Sequence, residues 1–257
     1  MDARLIFQIV QLVIILIILV FLIRYLWGIY FDTDYQPAAW KHAIKSRTLS
    51  TDIIRAEKQT SDKVRFFNFW FQVERIRKEG IPGAFAELGV YRGETARLIH
   101  LMDPARILHL FDTFEGFPAS DLKGETGEAA SYSTERFSDT GIKKVRKRIG
   151  NTDKVVFHPG HFPETVTGME EINYALVSID ADLYKPITAG LDYFYPRLSP
   201  GGVIIVHDYN HKWEGAMRAV DEFVEKIPES LVPVPDMESS VMIVKMKHEI
   251  RNIKNVV

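Results

Sequence analysis

Residues 83–112 read GAFAELGVYRGETARLIHLMDPARILHLFD. Three elements follow one another here with little between them. GAFAELGV has the apolar, glycine-bounded character of a buried strand, GETARLIHLM has helical spacing, and RILHLFD is a second apolar strand. A strand, a glycine turn, a helix and another strand form the unit from which parallel sheets are built, because the crossover helix must cover the sheet it leaves. Gly89 and Gly93 lie in the first turn. Glycine there lets backbone approach a ligand, and the helix that follows offers free N–H groups. The G-x-G-x-x-G spacing of dinucleotide binders is absent, so no pyrophosphate cradle is expected. Asp112 stands at the end of the second strand, about twenty residues past the turn, where an acid can accept the hydroxyls of a ribose. The turn and the distant acid together suggest a nucleoside-bearing ligand with little phosphate.

The alternation continues toward the C-terminus. A polar stretch from Ala119 to Thr134 precedes a helix over Ile142–Ile149. Next come strand KVVFHPG, a short helix, strand YALVSID, helix ITAGLDYFYPRL, strand GGVIIVHDY, helix EGAMRAVDEFVEKI, and two closing strands near LVPV and SVMIVKM. Right-handed crossovers leave few topologies for such a chain. The run KKVRKR at 143–148 is expected to be a solvated helix face with Val145 and Ile149 turned inward, and the loop from about Ala119 to Phe137 is a candidate lid. Upstream, Trp40 to Lys78 looks helical, with Phe66, Phe67, Trp70 and Phe71 forming an aromatic packing face.

Before that lies a different kind of sequence. Leu5–Ile23 is uncharged, with only Gln8 and Gln11 as polar interruptions, and is bracketed by Arg4 and Arg24, with Tyr25, Trp27 and Tyr30 behind it. This reads as a membrane anchor over residues 1–30, a cleaved signal peptide being the rival reading. Residues 31–60 are expected to hold a linker and helical region, 61–248 the main domain, and 249–257 a tail. The 257 residues carry a net charge of −2, so nothing electrostatic favours nucleic acid as a partner. With no cysteine, disulfides, thiolate zinc sites and a cysteine nucleophile are excluded.

VSIDADLY, residues 177–184, ends an apolar run on Asp180 and Asp182, which share a side of an extended chain. The next strand ends on His207-Asp208, and parallel strands bring such ends together on the carboxyl edge. Asp180, His207 and Asp208 can therefore converge, a set of hard oxygens and one imidazole suited to Mg²⁺ or Mn²⁺. Asp182 is the better candidate for an N-cap of the helix that follows.

The words AELGVYRGET, LFDTFEGFP, GHFPET, SIDADLY, YPRLSPGGVIIVHDY and WEGAMRAVDEF resemble, in order and approximate spacing, the macrocin O-methyltransferase family, over roughly residues 60–245. The resemblance implies a class I methyltransferase fold, an α/β Rossmann-like arrangement of seven mostly parallel strands with the last antiparallel. It implies S-adenosyl-L-methionine and a divalent metal as cofactors, and a sugar or related hydroxyl as acceptor. Carried over, it implies that Glu87, Gly89 and Gly93 line the methionine end, that Asp112 holds the ribose, that Thr113 also belongs to the cofactor site, and that Phe114 and Gly160-His161-Phe162 lie near the adenine. Relatives usually carry two consecutive acids where this chain has His207-Asp208. Asp180 is then the expected base, with His207 second, and Asp180, His207 and Asp208 the expected metal ligands. A hydroxyl-bearing small molecule or glycan near the membrane is the expected partner, with the domain facing the cytoplasm. Oligomeric state is left open, a homo-oligomer included. Two rivals stand beside this reading. An oxidoreductase on a similar sheet would want G-x-G-x-x-G and a Tyr-x-x-x-Lys pair, both missing, whereas a tethered domain that binds without turnover is kept open by His207.

Overall fold

The structure is a computed structural model that describes residues 3–30 and 35–247. Part of the expected linker and the expected tail over 249–257 lie outside the described residues. The chain divides into two compact units, the first ending at Leu49 and the second beginning at Ser50.

The first unit holds helices α1 (Ala3–Tyr30) and α2 (Ala38–Lys45). Helix α1 is apolar on every side, and from Ala3 to Trp27 it is long and apolar enough to cross a membrane. At 1.5 Å per residue those 25 residues span about 37 Å, against a hydrocarbon core of about 30 Å. A span and a signal sequence both satisfy that test.

The second unit begins with α3 (Thr51–Gln59) and α4 (Lys63–Lys78). The expected helical stretch from Trp40 to Lys78 is thus three helices, and caps explain the breaks. Ser50 Oγ accepts the Ile53 N–H at the start of α3, and Asp62 Oδ1 accepts the Arg65 N–H at the start of α4. The aromatic face also differs from expectation. Phe66, Phe67, Phe69, Trp70, Val73 and Ile76 are buried, whereas Phe71 is 42% exposed, because positions 66, 69, 73 and 76 follow one stripe of a 3.6-residue helix and 71 falls outside it.

Seven strands form one sheet: β1 (Ala84–Leu88), β2 (Leu108–Asp112), β3 (Val155–Pro159), β4 (Tyr174–Ile179), β5 (Leu198–Val206), β6 (Val232–Val234) and β7 (Ser240–Val244). Their order is β3-β2-β1-β4-β5-β7-β6, with β7 antiparallel to both neighbours and the five strands from β3 to β5 parallel. The remaining helices are α5 (Glu94–Met102), the short α6 (Ala119–Leu122), α7 (Ile142–Ile149), α8 (Tyr184–Arg197) and α9 (Glu214–Val224). In α7, Val145 and Ile149 are buried and the cations exposed, as the spacing predicts.

Alternation along the strands sorts the side chains between two faces. Ala86, Leu88, Phe111, Val177, Ile179, Ile204 and Val206 pack with Ile187, Leu191, Phe194, Val220 and Phe223 of α8 and α9. The alternate residues, Phe85, Glu87, Leu110, Ser178 and Ile205, therefore face the opposite side, where α4 and α5 lie. Chain order runs outward from β1 to β3 and then resumes at β4 on the other flank of β1. That reversal opens a crevice at the carboxyl ends of β1 and β4, the place where open α/β sheets bind ligands.

Candidate active site

The two strand ends that frame the crevice are tied together by backbone. The Asp180 N–H donates to Leu88 O at 2.8 Å, the Gly89 N–H to Phe111 O at 2.9 Å, and the His207 N–H to Ile179 O at 2.9 Å. Gly89 has φ +84°, and a Cβ there would lie 1.9 Å from the Asp180 carbonyl oxygen, so only glycine allows the approach. A cavity of about 480 Å³ opens above them. Among the described residues, seven that are not glycine have positive φ, and four of them, Tyr91, Phe137, Asp182 and Asp208, line this cavity. Backbone held in sparsely populated conformations clusters at functional sites.

The lining includes Glu87, Gly89, Asp112, Thr113, Gly160, His161 and Phe162. Asp112 braces the glycine turn: its Oδ2 accepts the N–H groups of Val90 and Tyr91 at 2.6 and 2.8 Å, and its Oδ1 that of Phe114 at 2.6 Å. Of the roughly four acceptor positions on a carboxylate, one then remains for a ligand. Glu87 is 1% exposed and its Oε2 has no partner. Burial, then the nearby Asp180, pushes its pKa well above the usual carboxylate range. A buried acid with a free oxygen is matched by a ligand carrying a cationic donor. Two expected residues lie elsewhere. Gly93 caps α5 at φ +75°, where a Cβ would strike Val145 of α7, so it serves helix packing. Phe114 is buried with its ring 6.0 Å from that of Phe157, outside the cavity lining.

Asp180, Asp182 and Asp208 also line the cavity, with Arg65. Arg65 Nη2 donates to Asp180 Oδ2 at 2.5 Å. Burial opposes ionisation of Asp180, yet the Arg65 charge outweighs it and holds the carboxyl below its ordinary range. Burial, then repulsion from Asp180 and Asp182, pushes Asp208 up to about 9. Asp182 is likewise raised, by burial and Asp180. Asp182 does not cap α8, whose N-cap is Leu183 without a side-chain bond.

His207 is not in the cavity lining. The residue is 1% exposed and its ring lies on the α4 face, with Nε2 3.0 Å from Ser178 Oγ, Nδ1 2.6 Å from Ser240 Oγ, and Phe69 across it at 5.8 Å. Burial, then the Arg65 charge, holds it down to about 3, so the imidazole is neutral. Both nitrogens are engaged, which corrects His207 as a metal ligand and as a second base. The set Asp180, His207, Asp208 does not fit a divalent ion: one member is turned away, and another is already gripped by a guanidinium. Among the described residues no group of three or more His, Asp or Glu side chains is placed to hold a metal.

The polar stretch after β2 roofs the site through Phe117 and Phe137. It contains α6 and a 3₁₀ turn over Gly127–Ser131. It is pinned at several points. Buried Asp121 reaches His161 Nε2 at 2.9 Å, Glu125 Oε1 accepts the Tyr184 N–H at 2.9 Å, and Trp213 Nε1 donates to Tyr132 Oη at 3.0 Å. Phe117 stacks on Tyr132 and meets Phe137 edge-on. Arg65 and Asp121 are the site residues that motif reading missed; a charged residue within an aromatic helix face was the available signal for the first.

A family model for macrocin-O-methyltransferase (TylF) matches residues 29–238. The chain is 33% identical over 156 residues to the 8-demethyl-8-(2,3-dimethoxy-alpha-L-rhamnosyl)-tetracenomycin-C 4'-O-methyltransferase of Streptomyces olivaceus, covering 56% of this chain and 60% of that one. It is 29% identical over 158 residues to the mycinamicin III 3''-O-methyltransferase of Micromonospora griseorubida, covering 56% and 62%. It thus spans about 60% of the length of these curated relatives. Among solved structures, the O-methyltransferase NovP superposes with TM-score 0.63 at 28% identity over 72% of this chain and 80% of that one. The calicheamicin methyltransferase CalS11 gives TM-score 0.54 at 20% identity over 69% and 79%, a likeness of fold. With the family match spanning most of the chain, and with the strand order and glycine turn in place, this protein belongs to the macrocin-O-methyltransferase family.

Proposed function

We propose that the chain is an S-adenosyl-L-methionine-dependent O-methyltransferase, tethered to a membrane by α1 with its second unit on the cytoplasmic side, that methylates a hydroxyl of a sugar-bearing or polyketide-type acceptor. The observation that carries this reading is one cavity lined together by the glycine turn, buried Glu87 and the ion-paired Asp180. The lining is strongly acidic: Glu87, Glu94, Asp112, Asp121, Asp180, Asp182 and Asp208 against Arg65 and Arg92. That imbalance suits a ligand bearing an ammonium and a sulfonium.

The cofactor, when bound, supplies an electrophilic methyl group. Glu87 offers its free oxygen to the ammonium, and the remaining acceptor position on Asp112 orients the ribose. Asp180, kept ionised by Arg65, takes the proton of the acceptor hydroxyl as its oxygen forms the new bond to carbon. The cavity walls would hold the acceptor oxygen at near-attack distance, about 3–3.5 Å, from the methyl group the cofactor would supply. Phe117 and Phe137 exclude water from the roof. The name of the tetracenomycin relative, which includes a rhamnosyl group in its substrate, supports a deoxysugar-type acceptor.

The test is transfer of isotopically labelled methyl from the cofactor to a panel of glycosylated and lipid-linked hydroxyl acceptors, with the full chain and Asp180→Asn. Transfer lost in Asp180→Asn supports the reading. Cofactor binding with no transfer to any acceptor would favour a tethered binding domain.

A further inference from the structure

Helix α4 acts on the strand ends of β4 and β5 through two residues. Arg65 and Phe69 are four apart and share a helix face. Phe69 covers the His207 ring, and Arg65 reaches Asp180. The position where the family resemblance implies a divalent ion is therefore served by one helix, which both sequesters the residue standing in for an acid and supplies a positive charge. The ion pair is anchored from behind. Asp62 caps α4 through the Arg65 N–H at 2.9 Å and with its other oxygen takes the Met237 N–H at 2.8 Å. The buried aromatic residues that follow fix the helix against the sheet. Arg65 has donors to spare: its side chain is 24% exposed and lines the cavity, and the bond to Asp180 uses one N–H of Nη2 out of the five on a guanidinium.

We propose that the Arg65 guanidinium is the cation of this site, taking the place of a divalent metal in front of Asp180 and offering its remaining donors to the acceptor oxygen. This deepens the methyltransferase reading and rests on it. A guanidinium is always charged and carries five donors in a fixed fork, so one side chain can neutralise a carboxylate and still stabilise an oxygen on which negative charge develops. No proton leaves Arg65. The hydroxyl proton passes to a carboxylate, the C–O bond forms, and the S–C bond breaks with its electron pair retained on sulfur.

The experiment is a titration of Mn²⁺ into the full chain in detergent after EDTA treatment and buffer exchange, followed by the paramagnetic resonance of free Mn²⁺. It is run on the wild type, Arg65→Ala, Arg65→Gln and Arg65→Ala/Asp180→Asn, with thermal melting to confirm that each is folded. The wild type is expected to bind Mn²⁺ at least about tenfold more weakly than Arg65→Ala or Arg65→Gln, because either variant uncovers Asp180 and its neighbours, and the added Asp180→Asn should erase that gain. Micromolar Mn²⁺ binding by the wild type, or no gain in either folded single variant, would overturn the proposal. Calorimetry with S-adenosylmethionine separates the two claims. Binding by the metal-stripped wild type is expected, and binding only after Mn²⁺ is restored contradicts the Arg65 role. No binding in either condition overturns the methyltransferase reading itself, while the Mn²⁺ titration still decides which cation Asp180 holds.

Discussion

Gly89 and Asp180 meet backbone to backbone: a Cβ on the glycine would stand 1.9 Å from the aspartate carbonyl oxygen, at φ +84°. The two residues end neighbouring strands, so this approach sets the width of the crevice above them. Gly89→Ala must both strain the turn and push β1 from β4. It is expected to destabilise the chain by more than about 2 kcal/mol and to abolish cofactor binding. Urea unfolding followed by tryptophan fluorescence checks the first, and a wild-type midpoint would contradict it.

Glu87 and Asp112 should respond differently to neutral isosteres. Glu87 is buried with an unpaired oxygen, so Glu87→Gln removes a group whose ionisation the fold opposes. Stability should hold or rise while cofactor affinity falls by about tenfold or more. Asp112→Asn sets an amide or a weaker acceptor against three backbone N–H donors, and is expected to lower stability by about 1–3 kcal/mol as well as affinity. Paired melting and binding measurements distinguish the two patterns.

His161 ties the roof to the site through Asp121. Burial alone would lower its pKa, but the bonds to Glu164 and Asp121 outweigh this and leave it above 6.5. A group whose folded pKa is raised contributes stability fully below its unfolded value and loses it as pH rises through the folded one. The segment from Ala119 to Phe137 should therefore exchange amide hydrogens faster, after correction for intrinsic rates, as pH climbs above about 6.5. His161→Gln should flatten that dependence. An unchanged pH response in the variant would remove His161 as the cause.

Helix α1 predicts a partition. The full chain should sediment with membranes and resist alkaline carbonate, and a chain lacking residues 3–27 should not. Recovery of a shortened, soluble product whose N-terminus lies beyond Trp27 would instead identify the segment as a cleaved signal.

The sheet was readable because its central strands are mostly apolar and short elements alternate between them, β4 being buried at every residue. Asp112 and Asp180 were readable for the same reason, since a parallel sheet brings strand ends to one edge. The direction of His207 was not. Adjacent residues in extended chain point to opposite faces, and that rule, applied to His207-Asp208, would have sent one of them away from the cavity. Arg65 was hidden for a different reason. It is 115 residues from Asp180, and only the docking of α4 brings them together. Phe69 was missed in favour of Phe71 because a short aromatic run admits two helical stripes, and the packing of α4 against β4, β5 and α5 selects between them.

The most direct test is calorimetric titration of S-adenosyl-L-methionine into the full chain in detergent, with Glu87→Gln and Asp112→Asn beside it. Saturable one-to-one binding by the wild type, weakened about tenfold or more in each variant, is the expected result. No binding by the folded wild type, with or without added Mg²⁺ or Mn²⁺, would contradict the methyltransferase account.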